Sequence, residues 1–227
     1  MKKELAYLLG YFYADGYLHN HKGKYNYPKI EIVKSDGESI LNCLNSIGSK
    51  YSTRFRFRKN SKNEQVAITI AADDENINLF RNVLSDKINM NNILSTIKHN
   101  DLNYFIRGFF DGDGCINIAK NTHARLYLYG SYEQDWSLIF NILKKLDIKY
   151  TYQQIIRKNG KHKSSLICVS NRHGINLFYE YIYPDRIYDF GLKRKYDKLN
   201  IIKSLVKSEH IRQYQENQSA EVLKEYT

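Results

Sequence analysis

The chain has little proline and little cysteine, and no long apolar run. Two prolines in 227 residues, with no break in composition, leave no segment that reads as a flexible linker. Cys43, Cys115 and Cys168 are odd in number and widely spaced, and none forms a CxxC pair. That excludes a disulfide framework and a cysteine-rich zinc site, and it predicts reduced core thiols in an intracellular protein. No stretch approaches the ~20 apolar residues a spanning helix needs, so no membrane partner is expected. Lys2 and Lys3 lead into an apolar run that soon meets Asp15 and Gly16, which does not read as a signal peptide. The expected location is the cytoplasm of a bacterial or phage-infected cell, or an organelle.

Acidic side chains are the scarcer sign: 24, against 35 Lys and Arg, for a net charge of +11. The balance is +5 over residues 1–100, +8 over 101–208 and −2 over 209–227. Both halves therefore carry the excess, as one surface facing a polyanion would require. Charge alone argues for attraction and not for an activity.

What the chain does have is a repeat. Leu8-Leu9-Gly10-Tyr11-Phe12-Tyr13-Ala14-Asp15-Gly16 returns as Ile106-Arg107-Gly108-Phe109-Phe110-Asp111-Gly112-Asp113-Gly114. Lys50-Tyr51 returns as Lys149-Tyr150, Arg58-Lys59-Asn60 as Arg157-Lys158-Asn159, and Ile77-Asn78-Leu79-Phe80 as Ile175-Asn176-Leu177-Phe178. Asp86-Lys87-Ile88 is echoed by Asp185-Arg186-Ile187. A near-constant offset predicts two copies of one fold, residues 1–100 and 101–208, related by a pseudo-twofold axis, with a polar tail over 209–227.

Periodicity gives each copy the order αββαββα, hence an α+β protein of two pseudo-symmetric lobes. Leu5 to Ala14 reads as a buried helix ended by Gly16 as a C-terminal glycine, and Leu102 to Gly112 as its counterpart. Met90 to Lys98 reads as a helix joining the copies. In Tyr51 to Lys59, Arg54, Arg56 and Arg58 alternate with Phe55 and Phe57, the period-two pattern of a half-buried strand with one basic face. Gly10 and Ala14 lie four apart, as do Gly108 and Gly112, so each helix carries a smooth stripe along which two backbones can approach closely. Asp15 and Asp113 would then emerge side by side.

The two nonapeptides resemble the LAGLIDADG motif of homing endonucleases, and residues 1–206 resemble the single-chain form with two motifs. The resemblance implies paired antiparallel sheets forming a DNA-binding saddle, and a monomer. It implies that Asp15 and Asp113 are catalytic metal ligands for Mg²⁺ or Mn²⁺, aided by the main-chain carbonyls of Ala14 and Gly112. Two-metal sites suit in-line displacement at phosphorus. Asp111 is matched by Tyr13 and is left out of the ligand set. Lys34 and Lys193 match the family's accessory lysines; the second lobe has only Gln134 near the place equivalent to Lys34. The two halves are therefore unequal.

The expected partner is double-stranded DNA, read in the major groove by alternate strand residues. In lobe one the candidates are His19, His21, Lys22, Lys24, Lys29, Arg54, Arg56 and Arg58. In lobe two they are Asn117, Lys120, Arg125, Tyr127, Gln153, Arg157, Lys158, Lys161 and Lys163. Because Arg54 and Arg56 are echoed by Gln153 and Ile155, the target is expected to be long and asymmetric. The competing functions are an intron RNA-splicing maturase, with RNA as partner, and a non-catalytic DNA-binding regulator derived from such an enzyme.

Overall fold

A computed structural model describes residues 1–21, 25–57, 64–119, 123–156, 163–185 and 187–205. Lys22, Lys24, Arg58, Lys120, Arg157, Lys158 and Lys161, named above, lie outside the described residues, as does the tail.

The first lobe runs α1 (Lys3–Asp15), β1 (Tyr17–His21), β2 (Tyr25–Val33), α2 (Lys34–Ile47), β3 (Tyr51–Phe57), β4 (Glu64–Ile70) and α3 (Ile77–Ser85). The second runs α4 (Leu102–Asp113), β5 (Gly114–Ala119), β6 (His123–Gly130), α5 (Ser137–Lys145), β7 (Thr151–Ile156), β8 (Lys163–Val169) and α6 (Arg172–Ile182), with a further helix over residues 193–205. The joint expected to be one helix is instead two 3-10 segments, Met90–Ser95 and His99–Asp101. Asn-rich sequence favours local side-chain bonds over an α-helix: Asn89 accepts from the Asn91 backbone N–H at 3.1 Å and starts the first segment.

Each lobe holds one antiparallel sheet, ordered β1-β2-β4-β3 and β5-β6-β8-β7. One face of each is apolar. Ile30, Ile32, Val66, Ile68 and Ile70 in the first sheet, and Leu126, Leu128, Ile167 and Val169 in the second, are buried under the helices. The alternate residues form the open faces. Cross-lobe contact is greatest between α1 and α4, and it is reinforced by Tyr7 OH donating to Asp111 at 2.8 Å and by Arg194 donating to Asp36 at 2.8 Å.

Three expectations need correction. Strand β3 is not half-buried: Phe55 is 50% and Phe57 71% exposed, because β3 is an edge strand running past the helix layer. The split into a basic face and an aromatic face holds, since the register pairs Arg54 with Ala67 and Phe55 with buried Val66. Gly16 is not a left-handed C-cap; its φ is −78°, and that of Gly114 is −88°. Glycine is needed there for close approach, because a Cβ on Gly16 would stand 2.5 Å from the Phe12 carbonyl oxygen. Of the cysteines, which are all free, only Cys43 is a core residue; Cys115 is exposed and Cys168 half-buried. Both flank Tyr127 on an open face, one strand to either side.

Candidate active site

The site begins with two glycines. A Cβ on Gly10 would lie 2.0 Å from the Phe105 carbonyl oxygen, and one on Gly108 would lie 1.9 Å from that of Tyr7. Helices α1 and α4 therefore touch backbone to backbone. A Cβ on Gly112 would meet Ala14 Cβ at 2.4 Å and the Asp15 carboxylate at 3.4 Å. The small-residue stripes thus bring Asp15 and Asp113 to one place, at the C-terminal ends of both helices.

That place is electrically unfavourable for two carboxylates. Helix C-termini carry partial negative charge, and neither helix has a basic residue in its last turn. Desolvation, then the charge of Asp15, pushes Asp113 up to about 6. Desolvation raises Asp15 as well, opposed by Lys195, Lys87 and a hydrogen bond from Tyr11.

Two lysines answer part of this charge. Lys87 Nζ donates to the Ala14 carbonyl at 2.6 Å and to that of Gly16 at 3.0 Å. Lys195 Nζ donates to the carbonyls of Phe110, Asp111 and Gly114 at 2.6, 2.6 and 2.7 Å. Each ammonium closes the end of one motif helix. Burial lowers both, Lys195 to about 8. A cavity of about 410 Å³ opens beside Lys87 and Asp113, with Tyr13, Tyr129 and Gln134 in its walls. Gln134 Nε2 donates to Tyr13 OH at 2.8 Å and to the Ile88 carbonyl at 2.9 Å.

Lys87 and Lys195 were missed by sequence reasoning, although signals existed. Lys195 stands two residues from Lys193 in the same basic run, and Lys87 lies in the Asp86-Lys87-Ile88 echo. The lysines singled out instead are turned elsewhere. Lys34 pairs with Glu64 at 2.8 Å and Lys193 with Asp197 at 2.7 Å, both at the surface. Asp111 is buried, accepting from Tyr7 OH and from the Leu192 N–H, each at 2.8 Å. Among the described residues no group of three or more His, Cys, Asp or Glu is placed to hold a metal ion. The oxygen donors available to a cation are therefore the paired aspartates and main-chain carbonyls, of which Ala14's already accepts from Lys87.

The open faces carry most of the remaining candidates. Register places Lys29, Arg54 and Arg56 on the first, along with His19, while His21 pairs with Tyr25. Asn117, Arg125, Tyr127 and Gln153 share the second. Lys163 pairs with Ile156, on the opposite side of that sheet from Gln153, and its ammonium lies 5.6 Å from the Tyr132 ring.

Residues 100–183 match the family model of the LAGLIDADG-like domain. The overall architecture also matches solved structures. The fold is the two-lobed LAGLIDADG fold. The homing endonuclease I-WcaI bound to its DNA recognition sequence aligns at 15% identity and TM-score 0.56, over 81% of this chain and 82% of that one. The meganuclease I-SmaMI bound to uncleaveable DNA aligns at 12% identity and TM-score 0.54, over 96% of each chain. Full-length DUF199/WhiA from Thermatoga maritima aligns at 14% identity and TM-score 0.53, over 95% of this chain and 66% of that one. At these identities the LAGLIDADG likeness is one of fold. Comparison with curated proteins finds no match. No helix among the described residues is long and apolar enough to cross a membrane.

Proposed function

We propose that this chain is a site-specific endonuclease that hydrolyses phosphodiester bonds on both strands of a long, asymmetric DNA target, as a monomer using Mg²⁺ or Mn²⁺. The observation that carries the reading is the convergence of Asp15 and Asp113 at the ends of two helices in backbone contact, each helix running directly into the first strand of its lobe's sheet. The donor set fits a hard divalent cation, which takes oxygen ligands and leaves room for water and phosphate. A cation bound there supplies charge stabilisation to the attacking and leaving oxygens. The chain's own residues do the rest. Asp15 and Asp113 hold the cation, each from one lobe. Lys87 and Lys195 fix the two helix ends and set a positive charge beside the scissile phosphates. Arg54, Arg56 and Arg125 engage the DNA. Lys34 and Lys193 remain peripheral, since their ammoniums are already paired with Glu64 and Asp197.

The test is Mg²⁺-dependent cleavage of a plasmid library with randomised inserts, the ends being sequenced, alongside Asp15→Asn and Asp113→Asn. Cuts at one long asymmetric site, abolished in both variants, are expected. A perfectly palindromic site would sink the asymmetry. Binding without cutting, unchanged in the variants, would favour a DNA-binding regulator, or a maturase if intron RNA binds in place of DNA.

A further inference from the structure

On the first open face one carboxylate gathers donors from three strands. Glu31, on β2, accepts from Tyr17 OH of β1 at 2.8 Å and from Lys29 Nζ at 3.0 Å, both through Oε1. Its Oε2 accepts from Arg56 Nη2 of β3. Strand β4 lies between Glu31 and β3, and it presents Ala67 opposite Glu31. That small side chain leaves Arg56 room to reach across. Lys29 Nζ also sits 5.7 Å from the centre of the Tyr17 ring.

A carboxylate in the middle of a basic face repels a polyanion, and exposed ion pairs add little to stability. The pairing therefore calls for another reason. An arginine read against guanine works through a rigid two-point fork, and holding that fork in place beforehand lowers the cost of ordering it on binding. Among the described residues the second lobe has no such cluster. Counting along the repeat, Tyr17, Lys29 and Glu31 are replaced by Cys115, Tyr127 and Tyr129, and Arg56 by Ile155.

We propose that Glu31 is a positioning residue for base readout: it pins Arg56 and Lys29 so that the free edge of the Arg56 guanidinium meets a guanine in the half-site under the first lobe. The second lobe, whose counterparts of Glu31 and Arg56 are Tyr129 and Ile155, reads its half-site without this clamp. The inference rests on the DNA-binding part of the proposed function and not on cleavage.

The experiment is binding selection from random duplex DNA without a catalytic metal, using the wild type, Glu31→Gln and Tyr17→Phe. Glu31→Gln should lose its guanine preference at one or two adjacent positions of one half-site. Discrimination there should fall on the order of 10-fold, while the other half-site is unchanged. Affinity for random sequence should rise, because a negative charge has left the face. Tyr17→Phe, which alters no charge, should shift the same positions by a smaller factor, so the idea is still tested if the first variant folds poorly. If both variants select the wild-type sequence at every position, the positioning role is wrong although the DNA-binding reading stands. If the wild type itself enriches no sequence, both fall together.

Discussion

Replacing Gly108 with alanine tests the interface on which the site depends. The added carbon would stand 1.9 Å from the Tyr7 carbonyl oxygen, 2.8 Å from the Tyr11 nitrogen and 2.9 Å from the Tyr7 carbonyl carbon. All are backbone atoms of α1, so no rotamer change can clear them. Carbon–oxygen contacts settle at about 3.3–3.6 Å, so the helices must part locally by more than about 1 Å. Overpacking typically costs about 1–3 kcal/mol, occasionally more. With backbone on both sides of the clash we expect about 3 kcal/mol, read by urea denaturation followed by circular dichroism. Asp113 ends the same helix, so its distance from Asp15 changes too, and misplacement of about 1 Å can cost about 100-fold in rate. Gly10→Ala makes the mirror-image clash, 2.0 Å from the Phe105 carbonyl oxygen. The double variant should cost less than the sum of the two, since one separation relieves both. Gly48→Ala is the control: nothing lies within 4 Å, and φ is +76°, so only the left-handed backbone is penalised, by about 1 kcal/mol. A Gly108→Ala protein within about 0.5 kcal/mol of the wild type would refute the backbone-contact argument.

Asp113 carries a pH prediction. Its pKa is raised from 3.8 to about 6, so its contribution to stability is intact below its unfolded value and is lost as pH rises through about 6. Asp113→Asn removes that penalty. Its Tm should exceed that of the wild type at about pH 8, and the gain should vanish near about pH 4; a lower Tm at the higher pH would contradict the electrostatic account. Added Mg²⁺ should raise the Tm of the wild type and not of this variant. For the lysines, Lys87→Met and Lys195→Met each disturb one helix end. Each should therefore accumulate nicked plasmid before linear product on agarose gels. Linear product formed at the wild-type rate by both would reduce the lysines to structural caps.

The repeat, the αββαββα order and the pairing of Asp15 with Asp113 were legible in the sequence because each depends on local spacing. A strand shows as period two, a helix as small and apolar residues four apart, and a duplicated lobe as a constant offset. The division of β3 into Arg54/Arg56 and Phe55/Phe57 faces was legible for the same reason. Its exposure was not, because the extent of the helix layer over an edge strand is a property of packing. Tertiary structure alone decided which lysines reach the helix ends beside the carboxylates. Lys87 and Lys195 occupy non-equivalent places in the two repeats, near Arg186 and Ile97 respectively, yet each folds back onto the end of its own motif helix. A long side chain on a flexible stem carries no periodic mark of where its charge will settle. Lys34 and Lys193, which the resemblance singled out, settle on Glu64 and Asp197 instead. The Glu31 cluster has the same character: its members come from three strands, and only the register that sets Ala67 between them brings Arg56 within reach. Local spacing specified the frame and the two aspartates, whereas the charges that surround them were placed by contacts between residues far apart in the chain.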